Sequence, residues 1–265
     1  MSDSVVNKVQ PFSGYRLATQ TAEEDAELTH VGPGTSCGEY LRCFWHPVAL
    51  STQLTDLPLA IRFMGEDLVV FRDRSDRVGV LHRQCCHRRA SLEYGRVEEL
   101  GIRCCYHGWL FDIDGRVLEA PAEPDDSPIP NSAVQGAYPA LEVKGLVFAY
   151  LGPPGVAPEF HIYDTHDLPG DTIVPYTAHN PCNWLQVYEQ APDPTHSVFL
   201  HSRMSGTHFA DAWGALPLLD YRPTDDGTGL YVLNFRVWDE FVWVRHLESV
   251  LPNSYRVPDL FQDPT

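Results

Sequence analysis

Positive charge is scarce in this chain. Its 265 residues carry 19 lysines and arginines against 36 aspartates and glutamates, a formal net charge of −17. A surface that acidic argues against nucleic acid as a partner. Long apolar runs are missing too, and none approaches the 18 residues that a membrane-spanning helix needs. Met1-Ser2-Asp3-Ser4 does not open the layout of a signal peptide. The expectation is a cytoplasmic protein with no membrane partner. No G-x-G-x-x-G segment occurs, so the chain has no dinucleotide fingerprint of its own. Seven cysteines are an odd number, which argues against a secreted disulfide framework. Hydrophobic residues make up 43% of the chain, enough for real cores, and the length allows one large or two modest domains.

What is present is a pair of mixed loops. Cys85-x-His87 is followed, after sixteen residues, by Cys104-x-x-His107-Gly108-Trp109. Each loop offers one thiolate and one imidazole. A Rieske [2Fe–2S] centre needs that inventory, with two Cys on one iron and two His on the other. A closed zinc site also takes two Cys and two His. Zinc loops usually pair like with like, however, as C-x2-4-C followed by H-x3-5-H. The mixed loops and the tight C-x-H spacing favour the cluster, with zinc as the competing reading. Cys37, Cys43, Cys86, Cys105 and Cys182 read as reduced, packed thiols, and a Cys86–Cys105 disulfide stays open.

Between about 40 and 155 the pattern is short strands with turn signals. Asp67-Leu68-Val69-Val70-Phe71, Val78 to Leu81 and Leu146 to Leu151 read as strands, and Gly152-Pro153-Pro154 ends the region. Trp109 to Leu118 reads as a hairpin around a type I′ Asp114-Gly115 pair. Beyond 156, Asn183 to Gln190 reads as a helix. Asp193-Pro194 reads as the N-cap and first residue of another, running to about Ser205-Gly206. Leu230 to Val237 and Phe241 to Arg245 read as strands paired around Asp239-Glu240.

A second constellation is Asp193-x-x-His196-x4-His201. Two His and a carboxylate facing open positions bind Fe(II) that takes up O2. In an ideal helix, residues five apart point about 140° away from each other, at roughly 100° per residue. The two imidazoles therefore converge only if the helix is distorted or ends between them.

The runs Cys85 to Leu92, Cys104 to Asp112 and Asn183 to His201, with Leu28 to Pro33, Phe44 to Leu50 and Gly65 to Val69, resemble the oxygenase (α) components of Rieske non-heme iron aromatic ring-hydroxylating oxygenases. The resemblance is to the phthalate dioxygenase-like group. That group usually has proline at the positions of Cys86 and Cys105, and often asparagine at that of Gln190. The resemblance implies an α+β chain. An N-terminal segment (1–39) precedes an all-β Rieske domain (40–155) and a partial helix-grip catalytic domain (156–265), an antiparallel sheet with helices. It implies a cluster held by Cys85, His87, Cys104 and His107. It implies a mononuclear Fe(II) held by His196 and His201, with Asp193 bridging to a Rieske histidine of a neighbouring subunit, by resemblance in a homotrimer. Electrons would come from NAD(P)H through a separate flavin and iron–sulfur reductase. With O2 they would hydroxylate or O-demethylate an aromatic or related ring compound.

In the group a third, carboxylate iron ligand lies farther beyond the second histidine than the 64 residues that follow His201. Asp211, Asp220, Asp225, Asp226, Asp239, Glu240, Glu248, Asp259 and Asp263 have no matching context. The expectation is a chain that stops inside the catalytic domain. The alternative is a Rieske electron-transfer protein with an incomplete, inactive second domain. His46 reads as packed or hydrogen-bonded, while His30, His82, His161, His166, His179, His208 and His246 read as non-ligands. Tyr106 and Trp109 read as packing for the cluster loops, and Arg88 and Arg89 as surface charge.

Overall fold

The computed structural model describes residues 23–163, 166–170, 172–204 and 209–258. Two short helices come first, α1 (Ala26–Thr29) and α2 (Ser36–Arg42). Each starts at a side-chain cap: Asp25 accepts from the Glu27 N–H and Thr35 from the Gly38 N–H. Eleven strands follow: β1 (Trp45–Leu50), β2 (Leu59–Phe63), β3 (Glu66–Arg72), β4 (Val78–His82), β5 (Arg96–Glu98), β6 (Gly101–Arg103), β7 (Leu110–Phe111), β8 (Val117–Glu119), β9 (Ala137–Tyr138), β10 (Ala140–Val143) and β11 (Leu146–Tyr150). A short helix, α3 (Ile129–Ser132), interrupts them. They form three antiparallel sheets, ordered β1-β11-β10, β2-β3-β4-β9 and β5-β6-β7-β8.

β3 shows why the chain folds this way. Its run Leu68-Val69-Val70-Phe71 is fully buried because both faces of the strand are covered. Val69 and Phe71 point into one core with Leu81, Leu92, Ile102 and Trp109. Leu68 and Val70 point into another with Val80, Val147 and Leu151. The first of these cores includes Cys85 and Cys104, so the cluster loops are rooted in the best-packed part of the molecule.

The expected strands over 67–71, 78–81 and 146–151 form. The Asp114-Gly115 hairpin forms as well, but not as type I′. Gly115 has a positive φ (+80°) and Asp114 does not. The Asp112 carboxylate instead accepts the N–H groups of Asp114 (2.9 Å) and Arg116 (2.8 Å), and the β7–β8 register shifts between Leu110 and Phe111. The side chain thus reinforces a backbone turn in which the Gly115 N–H donates to Asp112 O at 3.1 Å.

The remainder is α4 (Trp184–Gln190), α5 (His196–Phe199) and a four-stranded meander of β12 (Leu218–Pro223), β13 (Gly229–Trp238), β14 (Phe241–Val250) and β15 (Ser254–Arg256). Asn183 caps α4 by accepting the Leu185 N–H at 3.0 Å. β13 and β14 pair over their whole length, from Gly229↔Val250 to Trp238↔Phe241, with Asp239 at positive φ in the turn. The helix expected to start at Asp193 starts later. The Asp193 carboxylate caps a turn at the Thr195 N–H (2.9 Å), the α-helix runs only over His196–Phe199, and Leu200–Met204 is a π-helical turn. Its expected end at Ser205-Gly206 lies outside the described residues, as do residues 1–22, His208, Asp259 and Asp263. The α+β class is as expected, with few helices and antiparallel sheets throughout. Among the described residues, no helix is long and apolar enough to cross a membrane.

Candidate metal centres

The two cluster loops are built alike. Cys85 N–H donates to Ala90 O (2.9 Å) and Arg89 N–H to Cys85 O (2.8 Å), with Arg89 at φ +59°. Cys104 N–H donates to Trp109 O (2.8 Å) and Gly108 N–H to Cys104 O (3.1 Å), with Gly108 at φ +76°. Each loop thus closes five residues after its cysteine and turns through a left-handed residue one step earlier. Gly108 suits that conformation, and Arg89 adopts it at some steric cost.

The thiols point inward and the imidazoles outward. Cys85 and Cys104 are buried, while His87 and His107 are half-buried. The two imidazole rings lie 4.7 Å apart, and Trp109, fully buried, stacks on His87 at 4.7 Å and 9°. Tyr106 lies 3.9 Å from the His107 ring but is largely exposed. Trp109 therefore packs the loops as expected, and Tyr106 only covers the outer face of one imidazole. A sulfur pair beneath an imidazole pair is the donor set of a Rieske centre. His87 Nδ1 is buried without a hydrogen-bond partner, a vacancy that a metal bond fills. A zinc tetrahedron would draw all four donors to one point, whereas here a buried sulfur pair and a half-exposed imidazole pair stand as two layers.

Hydrogen bonding with Cys86, and then burial, pushes the Cys85 thiol far up. Burial raises Cys104. The same Cys85 contact lowers Cys86 to about 7. Both buried thiols must lose protons to ligate, so assembly of a cluster here releases protons. All seven cysteines are free, which leaves no Cys86–Cys105 disulfide. Packing was expected of five, but only Cys37 among them is buried; Cys43, Cys86, Cys105 and Cys182 are exposed because they stand on loops and helix ends.

A neighbour the sequence did not single out braces the second loop. Arg103 donates to Gly108 O (2.6 Å), to both Glu98 oxygens (2.7 and 2.8 Å) and to Glu119 (2.7 Å). Arg88 and Arg89 are exposed, as expected. His46 is buried, with Leu41 O at 2.7 Å from Nε2 and Asn253 at 3.0 Å from Nδ1.

At the second constellation, the π turn answers the geometric problem posed by the x4 spacing. A π turn closes its hydrogen-bonded ring over five residues, so groups five apart fall near one line. The rings of His196 and His201 accordingly face each other at 5.4 Å. The Gln190 amide donates to His196 Nε2 (3.2 Å), and Asp193 Oδ2 lies 3.8 Å from His196 Nδ1, a buried nitrogen with no hydrogen-bond partner. These residues line a cavity of about 160 Å³ with Phe209, Trp213 and Leu247. From the sheet, the buried Arg236 donates to Pro194 O (3.2 Å) and Ser197 Oγ (3.0 Å), and its guanidinium lies 4.8 Å from the Trp213 ring. Arg236 thereby ties β13 to the segment between Asp193 and His196. Nothing in the local sequence announces this contact.

Asp193 is the one carboxylate among the described residues that lines this cavity. Asp220 pairs with Arg222, Glu248 pairs with Arg256 at 2.9 Å, and Asp226 holds Thr228 in a turn. Asp211, Asp225, Asp239 and Glu240 do not line the cavity. The two imidazoles fit an iron site, and the donor set is one anionic ligand short of the usual triad unless Asp193 serves.

Comparison with known proteins agrees with this geometry. Residues 44–139 match the Rieske [2Fe-2S] domain. The oxygenase subunit of tert-butanol monooxygenase / tert-amyl alcohol desaturase from Aquincola tertiaricarbonis is 49% identical, over 91% of this chain and 54% of that protein. The phenoxybenzoate dioxygenase alpha subunit of Ectopseudomonas oleovorans is 43% identical, over 88% of this chain and 60% of its own length. The chain thus spans about half the length of the curated relatives it matches. The crystal structure of dicamba monooxygenase bound to dicamba shares the fold, with a TM-score of 0.67 at 20% identity over 80% of this chain and 64% of that one. With two thiols beneath two imidazoles, the chain carries a Rieske [2Fe-2S] domain, and well past that domain it is similar to oxygenase subunits of Rieske monooxygenase and dioxygenase systems.

Proposed function

We propose that the chain is the electron-receiving and O2-using component of such a system. Cys85 and Cys104 hold one iron of a [2Fe–2S] cluster, and His87 and His107 hold the other. His196 and His201 hold a mononuclear Fe(II). Residues 40–155 act as the Rieske domain and 156–265 as part of the catalytic domain, after an N-terminal segment over 1–39. The carrying observation is the layered pair of loops, sulfurs buried and imidazoles half-exposed. When bound, the cluster passes single electrons and the mononuclear iron supplies O2 activation.

The chain's own residues divide the remaining work. Trp109 shields the inner face of His87 from water. Asp193, with its side chain half-exposed and near His196, accepts a hydrogen bond from a Rieske histidine of an adjacent subunit, in a homotrimer. A separate flavin and iron–sulfur reductase brings electrons from NAD(P)H in the cytoplasm. Phe209, Trp213 and Leu247 give the second site an apolar wall suited to a ring. The substrate is an aromatic or related ring compound, hydroxylated or O-demethylated.

A second substrate reading, a small tertiary alcohol, is favoured by the relative at 49% identity. The alternative of an electron relay with a passive second domain is disfavoured by similarity that runs over 91% of the chain. Turnover with a phthalate-family reductase, comparing an aromatic acid with a tertiary alcohol, separates the substrate readings. A chain that takes electrons yet yields product from neither class returns the question to the relay.

A further inference from the structure

Gln190 ends α4 and lines the second cavity. Its amide lies 3.2 Å from His196 Nε2. Its backbone belongs to the same turn, because the Asp193 N–H donates to Gln190 O at 3.2 Å. Asp193 Oδ2 stands on the other side of the imidazole, 3.8 Å from Nδ1. A carboxylate beside one ring nitrogen orients a metal-bound imidazole and leaves the other nitrogen for the ion. Nε2 is therefore the nitrogen left for a metal, and the Gln190 amide stands next to it.

A ring nitrogen that binds a metal has no lone pair left to accept the Gln190 hydrogen bond. On loading, the amide must find another partner. Gln190 is exposed, and half a turn of its amide exchanges nitrogen for oxygen. The spacing suits a shared ion. Two donors about 2.1 Å from one ion stand about 3.0 Å apart in an octahedral shell and about 3.4 Å apart in a tetrahedral one. The observed 3.2 Å falls between them. Other oxygens on the cavity wall are engaged. Ser197 Oγ donates to Pro194 O (2.6 Å) and accepts from Arg236 (3.0 Å), and Asp193 Oδ1 accepts the Thr195 N–H (2.9 Å).

We propose that Gln190 turns its amide oxygen to the mononuclear ion and ligates it beside His196 Nε2. The inference rests on the assignment of His196 and His201 to that ion. A neutral oxygen adds a third donor without adding charge. Gln190→Leu removes the donor at similar size. Gln190→Glu keeps an oxygen but has no N–H to offer His196. A role limited to the hydrogen bond therefore makes Gln190→Glu bind the ion more weakly, whereas ligation makes it bind more tightly, through an anionic oxygen.

The test is a Mn(II) titration of the purified full chain, with the cluster oxidised and mononuclear iron removed by a chelator. Electron paramagnetic resonance reads the bound ion, and line broadening in 17O-labelled water counts its water ligands. Gln190→Leu should weaken binding by about tenfold or more and add one water, at native Rieske content. Gln190→Glu should bind more tightly than the native chain and add no water. Native affinity and a native water count in Gln190→Leu overturn the inference, and so does weaker binding by Gln190→Glu. If Gln190→Leu fails to fold, shown by loss of its Rieske signal, Gln190→Glu alone decides. A native chain that binds no Mn(II) beside an intact Rieske centre overturns the mononuclear assignment first and this inference with it.

Discussion

At the residue scale, charge and hydrogen bonding set the behaviour of the first centre. His107→Cys replaces a neutral donor with a thiolate, so the reduction potential should drop, toward the values of all-Cys ferredoxins. An unchanged potential in a loaded variant would remove His107 from the ligand set. Glu98 is held down to about 2, first by its hydrogen bond from Arg103. Its folded value lies below its unfolded one, so its contribution to stability is fully present above about pH 4.5. That contribution is lost as pH falls toward 2. Glu98→Gln should cost about 1–3 kcal/mol near neutral pH and flatten the acid limb of the stability curve. Chemical denaturation at several pH values measures both. Asp193→Asn should leave cluster and iron content nearly native while slowing electron transfer between the centres, read by single-turnover kinetics. Loss of mononuclear iron with unchanged transfer would make Asp193 an iron ligand instead.

At the element scale, the π turn over Leu200–Met204 and the strut from β13 shape the second centre. Arg236→Met removes four hydrogen bonds to neutral partners and leaves Pro194 O and Ser197 Oγ without their cation. Mononuclear iron should then be lost preferentially, with the Rieske signal intact and a stability cost of about 1–3 kcal/mol or more. Equal loss of both metals would show general unfolding. Local chemistry explains which elements were legible. The β3 run was readable because apolar residues on both faces need two cores. The need for a distorted helix between His196 and His201 followed from angular arithmetic alone. The turn type at Asp114-Gly115 was not readable, because the Asp112 side chain adds its own hydrogen bonds to the backbone turn. The roles of Arg103 and Arg236 were hidden for another reason. Each depends on partners brought close by the sheets, and an isolated Arg carries no periodic signal.

At the scale of the whole molecule, the two centres differ in completeness. The loops of the first are rooted in a packed core with all four donors in place. The second has two imidazoles and, among the described residues, only Asp193 as a carboxylate beside them. Metal affinity follows ligand count and charge. The 265-residue chain should therefore retain about two irons per chain firmly and release a third to a mild chelator, so that turnover needs Fe(II) in excess. Three irons surviving chelation, with stoichiometric product, would mean that a further carboxylate completes the triad. Asp259 and Asp263 would then be the first to mutate.

A cluster held by two sulfurs and two imidazoles carries its nitrogen ligands into its spectrum. The measurement is electron paramagnetic resonance with nitrogen hyperfine detection on the reduced protein, grown with 15N-labelled histidine. The account predicts a Rieske-type spectrum with a low average g value and coupling to two histidine nitrogens, one of which disappears in His87→Cys. A colourless zinc protein from anaerobic expression, or a reduced cluster without histidine coupling, would contradict it.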